Sequence, residues 1–92
     1  MIKLIVWKFD QYSYIGYGET LLECIYDLSK ETIKEGILVE IYEYYSNNDD
    51  FIVDEDDEEF NIFIEELSNS KINDRIYSWC DRNNYKYHIE DN

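Results

Sequence analysis

The chain contains no proline and no alanine, and none of its three glycines falls after Gly36. Without a glycine-rich turn there is no phosphate-cradling loop, and the oxygen-rich stretch from Asp49 to Glu59 lacks the glycine that lets a calcium loop turn sharply. Two cysteines, Cys24 and Cys80, are too few for a disulfide framework or a four-ligand zinc knuckle, so buried, reduced thiols are expected. His88 is the one histidine, and no serine or cysteine sits in a nucleophile motif, so no Ser-His-Asp or Cys-His centre is expected. His88 reads instead as a surface or edge residue of a strand beside Tyr87. No apolar run is long enough to span a bilayer, and Leu4-Ile5-Val6-Trp7 ends at charged Lys8 with no small-residue cleavage site after it. A cytoplasmic protein is expected, with no cofactor, no dedicated metal site and no enzymatic activity.

What is present is acid, and it is segregated. The net charge of −14 arises from 22 acidic and 8 basic residues. From Glu35 to Ser70 there are 13 acidic residues and no Lys or Arg, while the rest of the chain carries 9 acidic against 8 basic. Carboxylates packed within a Debye length of ~8 Å repel one another and raise the energy of the compact state. Direct nucleic-acid binding is disfavoured for the same reason, because affinity for phosphates comes from cations that release counterions. A solvated loop that only keeps an apolar protein soluble would explain six consecutive acids, Asp54 to Glu59; it explains less well why the whole surrounding segment excludes cations.

At 92 residues there is room for one core, since a domain of this size buries only roughly two-thirds of the surface its unfolded chain exposes. A content of 45% hydrophobic and 17% aromatic residues indicates that the chain folds. Residues Ile2 to Phe9 and Tyr12 to Tyr17 read as strands of a hairpin turning at Asp10-Gln11. Thr20 and Glu23 form a capping box opening a first helix with an inward stripe of Leu21, Ile25, Leu28 and Thr32, flanked by Leu22 and Ile33, and Gly36 as its C-cap. Ile37 to Tyr45 alternates as a third strand, with Ile37, Val39 and Ile41 on one face and Glu40, Tyr42 and Tyr44 on the other. A turn at Asn47 to Asp50 leads to a short return strand, Phe51 to Val53. Phe60, Phe63, Ile64 and Leu67 have helical spacing, with the acidic run at the helix N-terminus where it complements the dipole. Ser70 caps a last helix that buries Ile72, Ile76, Trp79 and Cys80 and ends at Asn83-Asn84; Tyr85 to Ile89 closes as a strand. The expected fold is a single small α+β domain over 1–92, a mainly antiparallel sheet packed by two or three helices in the order ββαβ(β)ααβ.

Ten tyrosines are the second unusual feature. Core packing takes most aromatics, but the strand register leaves Tyr42 and Tyr44 beside Glu40, where exposed tyrosine is a favoured interface anchor and can stack under an arginine. The candidate partner-binding residues are therefore Glu40, Tyr42, Glu43, Tyr44, Tyr45, Asp49, Asp50, Asp54, Glu55, Asp56, Asp57, Glu58 and Glu59. Carboxylates at such density approach the one charge per ~1.7 Å of duplex DNA, so they can occupy a basic groove that another protein uses for nucleic acid.

Small size, the Glu35 to Ser70 acid block and the missing catalytic motifs, together with residue choices typical of AT-rich coding, give a class-level resemblance. The chain resembles the small acidic DNA-mimic inhibitors of phages and mobile elements, of the anti-CRISPR and anti-restriction type. The resemblance implies a stoichiometric inhibitor whose partner is a basic nucleic-acid-binding protein, a CRISPR effector or a restriction or defence nuclease, in the host cytoplasm. The alternative is an acidic protein-binding module such as a toxin-immunity protein.

Overall fold

A computed structural model describes residues 1–9, 12–46 and 66–91. Strand β1 (Ile2–Lys8) alternates, and its Ile2, Leu4 and Val6 are buried while Lys3, Ile5 and Trp7 face the other way. It pairs antiparallel with β2 (Tyr14–Gly18), with Ile2 opposite Gly18 and Val6 opposite Tyr14. On its other side it pairs antiparallel with β3 (Tyr85–Asp91), with Ile2 opposite Asp91 and Lys8 opposite Tyr85. The sheet order is therefore β2-β1-β3 with the first strand central. The α+β architecture with an antiparallel sheet is as the sequence indicates.

Helix α1 (Leu21–Tyr26) starts with the expected capping box: Thr20 Oγ1 accepts from the Glu23 N–H at 3.2 Å, and Glu23 Oε2 accepts from the Thr20 N–H at 3.3 Å. It lies directly on β2. A Cβ on Gly16 would stand 2.0 Å from the Cys24 carbonyl oxygen, so only glycine permits this approach. The far end is tied down as well, since Asp27 Oδ2 accepts from the Tyr17 N–H at 2.8 Å. Fixed to the hairpin at both ends, α1 is short, and the chain sets out again in α2 (Glu31–Ser46). The single first helix ending at Gly36 is thus two helices, with Gly36 inside the second.

The expected third strand, Ile37 to Tyr45, is part of α2. Ile37 and Ile41 satisfy a period of two and a period of four equally. Ile33, buried one turn earlier, and Val39, 47% exposed between them, select the helix. The order among the described residues is accordingly ββααα β, with a helix where ββαβ(β)ααβ placed its third strand. Helix α3 (Asn69–Arg82) is capped by Ser68, whose Oγ accepts from the Lys71 N–H at 3.3 Å, two residues before the expected cap. Asn69 Oδ1 accepts from the Leu21 N–H, joining the starts of α1 and α3. Ile72, Ile76 and Cys80 are buried at one-turn spacing, and α3 ends at Asn83, followed by Asn84 at φ 62°, a conformation asparagine tolerates.

All three helices lie against one another, and α1 and α3 also contact the sheet, enclosing a core centred on Leu4, Val6, Ile25, Ile33, Ile37, Ile41, Ile72 and Ile76. Cys24 and Cys80 belong to it as free thiols, and burial pushes the Cys80 thiol up to about 12. The Asp10-Gln11 turn, the Asn47 to Asp50 turn, the Phe51 to Val53 strand and the helix of Phe60, Phe63 and Ile64 lie outside the described residues. Among those described, no helix is long and apolar enough to cross a membrane.

Candidate docking surface on helix α2

Helical rather than extended backbone redistributes the candidate residues. In a strand Glu40, Tyr42 and Tyr44 would share one face; on a helix Glu40 and Tyr44 lie one turn apart, while Tyr42 and Tyr45 turn toward the core. Glu40 and Tyr44 face α3. Arg75 Nη1 donates to Glu40 Oε1 at 3.4 Å, and Arg82 Nη2 donates to Glu40 Oε2. The Glu40 side chain is only 11% exposed, so it is an internal clamp between α2 and α3 rather than a surface carboxylate. The Arg75 guanidinium also stacks on Tyr44, whose ring meets Tyr45 edge-on at 5.0 Å and 82°. The cation–π contact expected of a partner is thus made by the chain's own arginine. Tyr45 is half-buried, and burial raises its phenol above the usual range, with Arg75 acting in the opposite direction.

Glu43 remains exposed on the adjoining face of α2. With Glu35, Gly36 and Val39 it borders an open groove of about 410 Å³ whose opposite wall is Trp79 and Arg82 of α3. The groove has a specific origin: Trp79 lies on Gly36 so closely that a Cβ there would be 2.6 Å from the indole Nε1. Trp79 is backed by Tyr85, stacked at 5.1 Å and 22°, and Lys8 Nζ lies 5.0 Å from the Tyr85 centroid. Glu35 and the Trp79 wall were not among the expected binding residues. The signal for Glu35 in the sequence is the i, i+4, i+8 series Glu35, Val39, Glu43, which is invisible when that segment is read as a strand; the Trp79 wall, contributed by α3, has no local signal.

Asp49, Asp50 and the run Asp54, Glu55, Asp56, Asp57, Glu58 and Glu59 lie outside the described residues. Among those described, no three His, Cys, Asp or Glu side chains gather in a way that could hold a metal ion. Cys24 is buried with its Sγ directed to the Ile2 carbonyl oxygen at 3.4 Å, and burial, followed by Asp27 and Glu23, raises its thiol. His88 lies on the outer face of the edge strand, 3.7 Å from Glu90. Comparison with protein-family models, with curated proteins and with solved structures returned no match.

Proposed function

We propose that this chain is a stoichiometric inhibitor that inserts its acid block into the basic nucleic-acid groove of a defence nuclease or CRISPR effector, standing in for DNA. The observation that carries the reading is how the fold spends its cations. Both arginines facing α2, Arg75 and Arg82, converge on the single carboxylate Glu40, and Lys34 pairs with Glu31. The exposed Glu35 forms no ion pair among the described residues, although Arg82 lines the same groove, and the sequence from Glu35 to Ser70 supplies no cation of its own. Packing therefore fixes one end of the acid block, α2, while the two arginines facing it are spent on Glu40 and Glu35 stays exposed. An anchored carboxylate surface loses less entropy on docking than a free acidic tail, and its charge accelerates encounter with a basic groove.

The groove between α2 and α3 supports the protein-directed side of this reading: Glu35 and Glu43 border it beside an indole and a valine, and the arginine on its far wall, Arg82, is paired with Glu40, an environment that suits an arginine or lysine side chain of the partner. The test is capture of binding proteins from a low-GC bacterial lysate by the immobilised chain at low and high salt. Each captured protein is then assayed for duplex DNA and RNA binding at saturating inhibitor. Loss of nucleic-acid binding is expected. Nucleic-acid binding that survives saturation excludes mimicry and leaves an immunity-type interaction.

A further inference from the structure

Among the described residues, strand β3 is an edge of the sheet. All seven of its residues are in register with β1 on one side, and its other side has no backbone partner among the described residues. Edges are ordinarily blunted by shortness, a proline, a bulge, charged side chains or a covering element, and among the described residues charged side chains are the one device of these that β3 has. Here Tyr85–Asp91 runs without a break, and two of its three charges are opposite in sign and placed symmetrically about His88: Lys86 two residues before, Glu90 two after, the latter also 3.9 Å from Lys3, with Asp91 as the third.

That symmetry makes the strand complementary to itself. Antiparallel pairing with a second copy, centred on His88, sets Lys86 against Glu90 of the second copy, and the two-fold axis repeats the contact. On the other face it sets Tyr87 against Ile89, both half-buried and packed on the core. Tyr85 meets Asp91 of the second copy, whose carboxylate arrives beside Lys8, the cation lying over the Tyr85 ring. Registers centred on Lys86 or on Glu90 instead bring like charges face to face, and those centred on Tyr87 or Ile89 separate Lys86 from Glu90, so only the His88-centred alignment forms both Lys–Glu pairs. Along the same edge Tyr77 of α3, 61% exposed, lines a recess of about 390 Å³ with Cys80, Tyr85 and Tyr87, which an added strand would cover.

We propose that the protein forms a two-fold dimer through β3–β3 pairing centred on His88, joining two three-stranded sheets into one. This inference is independent of the function proposed above. Sedimentation equilibrium from micromolar to millimolar chain tests it, with an expected rise from 11.3 kDa to twice that mass. Lys86→Glu and Glu90→Lys each turn two attractive pairs repulsive and should weaken self-association at least ~10-fold, equivalent to about 1.4 kcal/mol. An equimolar mixture of the two variants restores both pairs and should recover the dimer. Wild type that stays at 11.3 kDa throughout overturns the proposal, as does a mixture that fails to associate when both variants retain the native circular dichroism. Hydrogen exchange on the unaltered chain gives a second reading: alternate β3 amides should slow as concentration rises, and protection that ignores concentration overturns the proposal without any variant.

Discussion

The Arg75 guanidinium carbon lies 3.7 Å from the centroid of the Tyr44 ring, and from that position the same group reaches Glu40. One arginine thus holds an aromatic ring and a carboxylate that stand one turn apart on α2. Its Nε is buried without an acceptor among the described residues, so the clamp is incomplete on the arginine side.

This asymmetry sets an order of effects. Glu40→Ala leaves Arg75 partly buried beside Arg82 with no counter-charge and should cost about 2–3 kcal/mol, below the full value for a buried pair because Arg82 is exposed. Arg75→Met removes the unsatisfied Nε, keeps contact with Tyr44 and should cost less than Glu40→Ala. Urea unfolding followed by circular dichroism ranks the two; equal losses would argue against an ion-pair clamp.

Gly36→Ala should act against the usual rule. In an open helix interior the change stabilises by about 1 kcal/mol, but here the methyl would meet Trp79 ring atoms at 2.6 to 2.7 Å. A lower urea midpoint is expected, with tryptophan fluorescence altered. Combining Gly36→Ala with Trp79→Val should recover part of the loss caused by the first change, and strict additivity would show that the two do not touch.

Alkali should destabilise the protein, with Cys80 contributing beside Cys24, Tyr45 and Tyr87, whose pKa burial also raises. Burial holds the Cys80 thiol up to about 12, against 9.0 when free of the fold. The folded state therefore binds this proton more tightly, so the stabilisation is complete below pH 9.0 and is lost as pH rises from there toward about 12. Thermal melts between pH 8 and 11 should show a falling midpoint, less steep in Cys80→Ala after correction for its lower starting stability.

Charge reversal separates function from fold. Replacing Asp54, Asp56 and Glu58 with Lys should abolish partner capture while leaving the far-ultraviolet spectrum and melting point nearly unchanged, because like-charge repulsion is relieved rather than added. Wild-type affinity should fall steeply with salt. Capture that survives the triple change would mean that the run serves solubility alone.

The sequence announced some of these relationships and concealed others for identifiable reasons. Thr20 and Glu23, Ile72 with Ile76 and Cys80, and the alternation in β1 depend on local spacing, and each is realised in the fold. The α2 segment misled because Ile37 and Ile41 fit both periods and β-branched, aromatic composition favours a strand, while tertiary packing against α3 favours a helix. Gly36 reads as a helix stop because its actual reason, the Trp79 ring, comes from a distant part of the chain. The same distance hid the role of Glu40: one acid in a long acid block gives no sign that two arginines more than thirty positions away will converge on it. What was legible of the site is its net charge; which carboxylates remain outward was decided by the helix.

The central position of β1 bears on how the chain is made. Its first neighbour, β2, follows at once, but its second, β3, places Asp91 opposite Ile2. On the ribosome the hairpin and α1 can assemble early, while the far side of β1 stays bare until the last described residues have left the exit tunnel. Closure of the sheet is then a long-range event, slow by the standard of local contacts, and it gives chaperones a window in which to hold an unpaired strand.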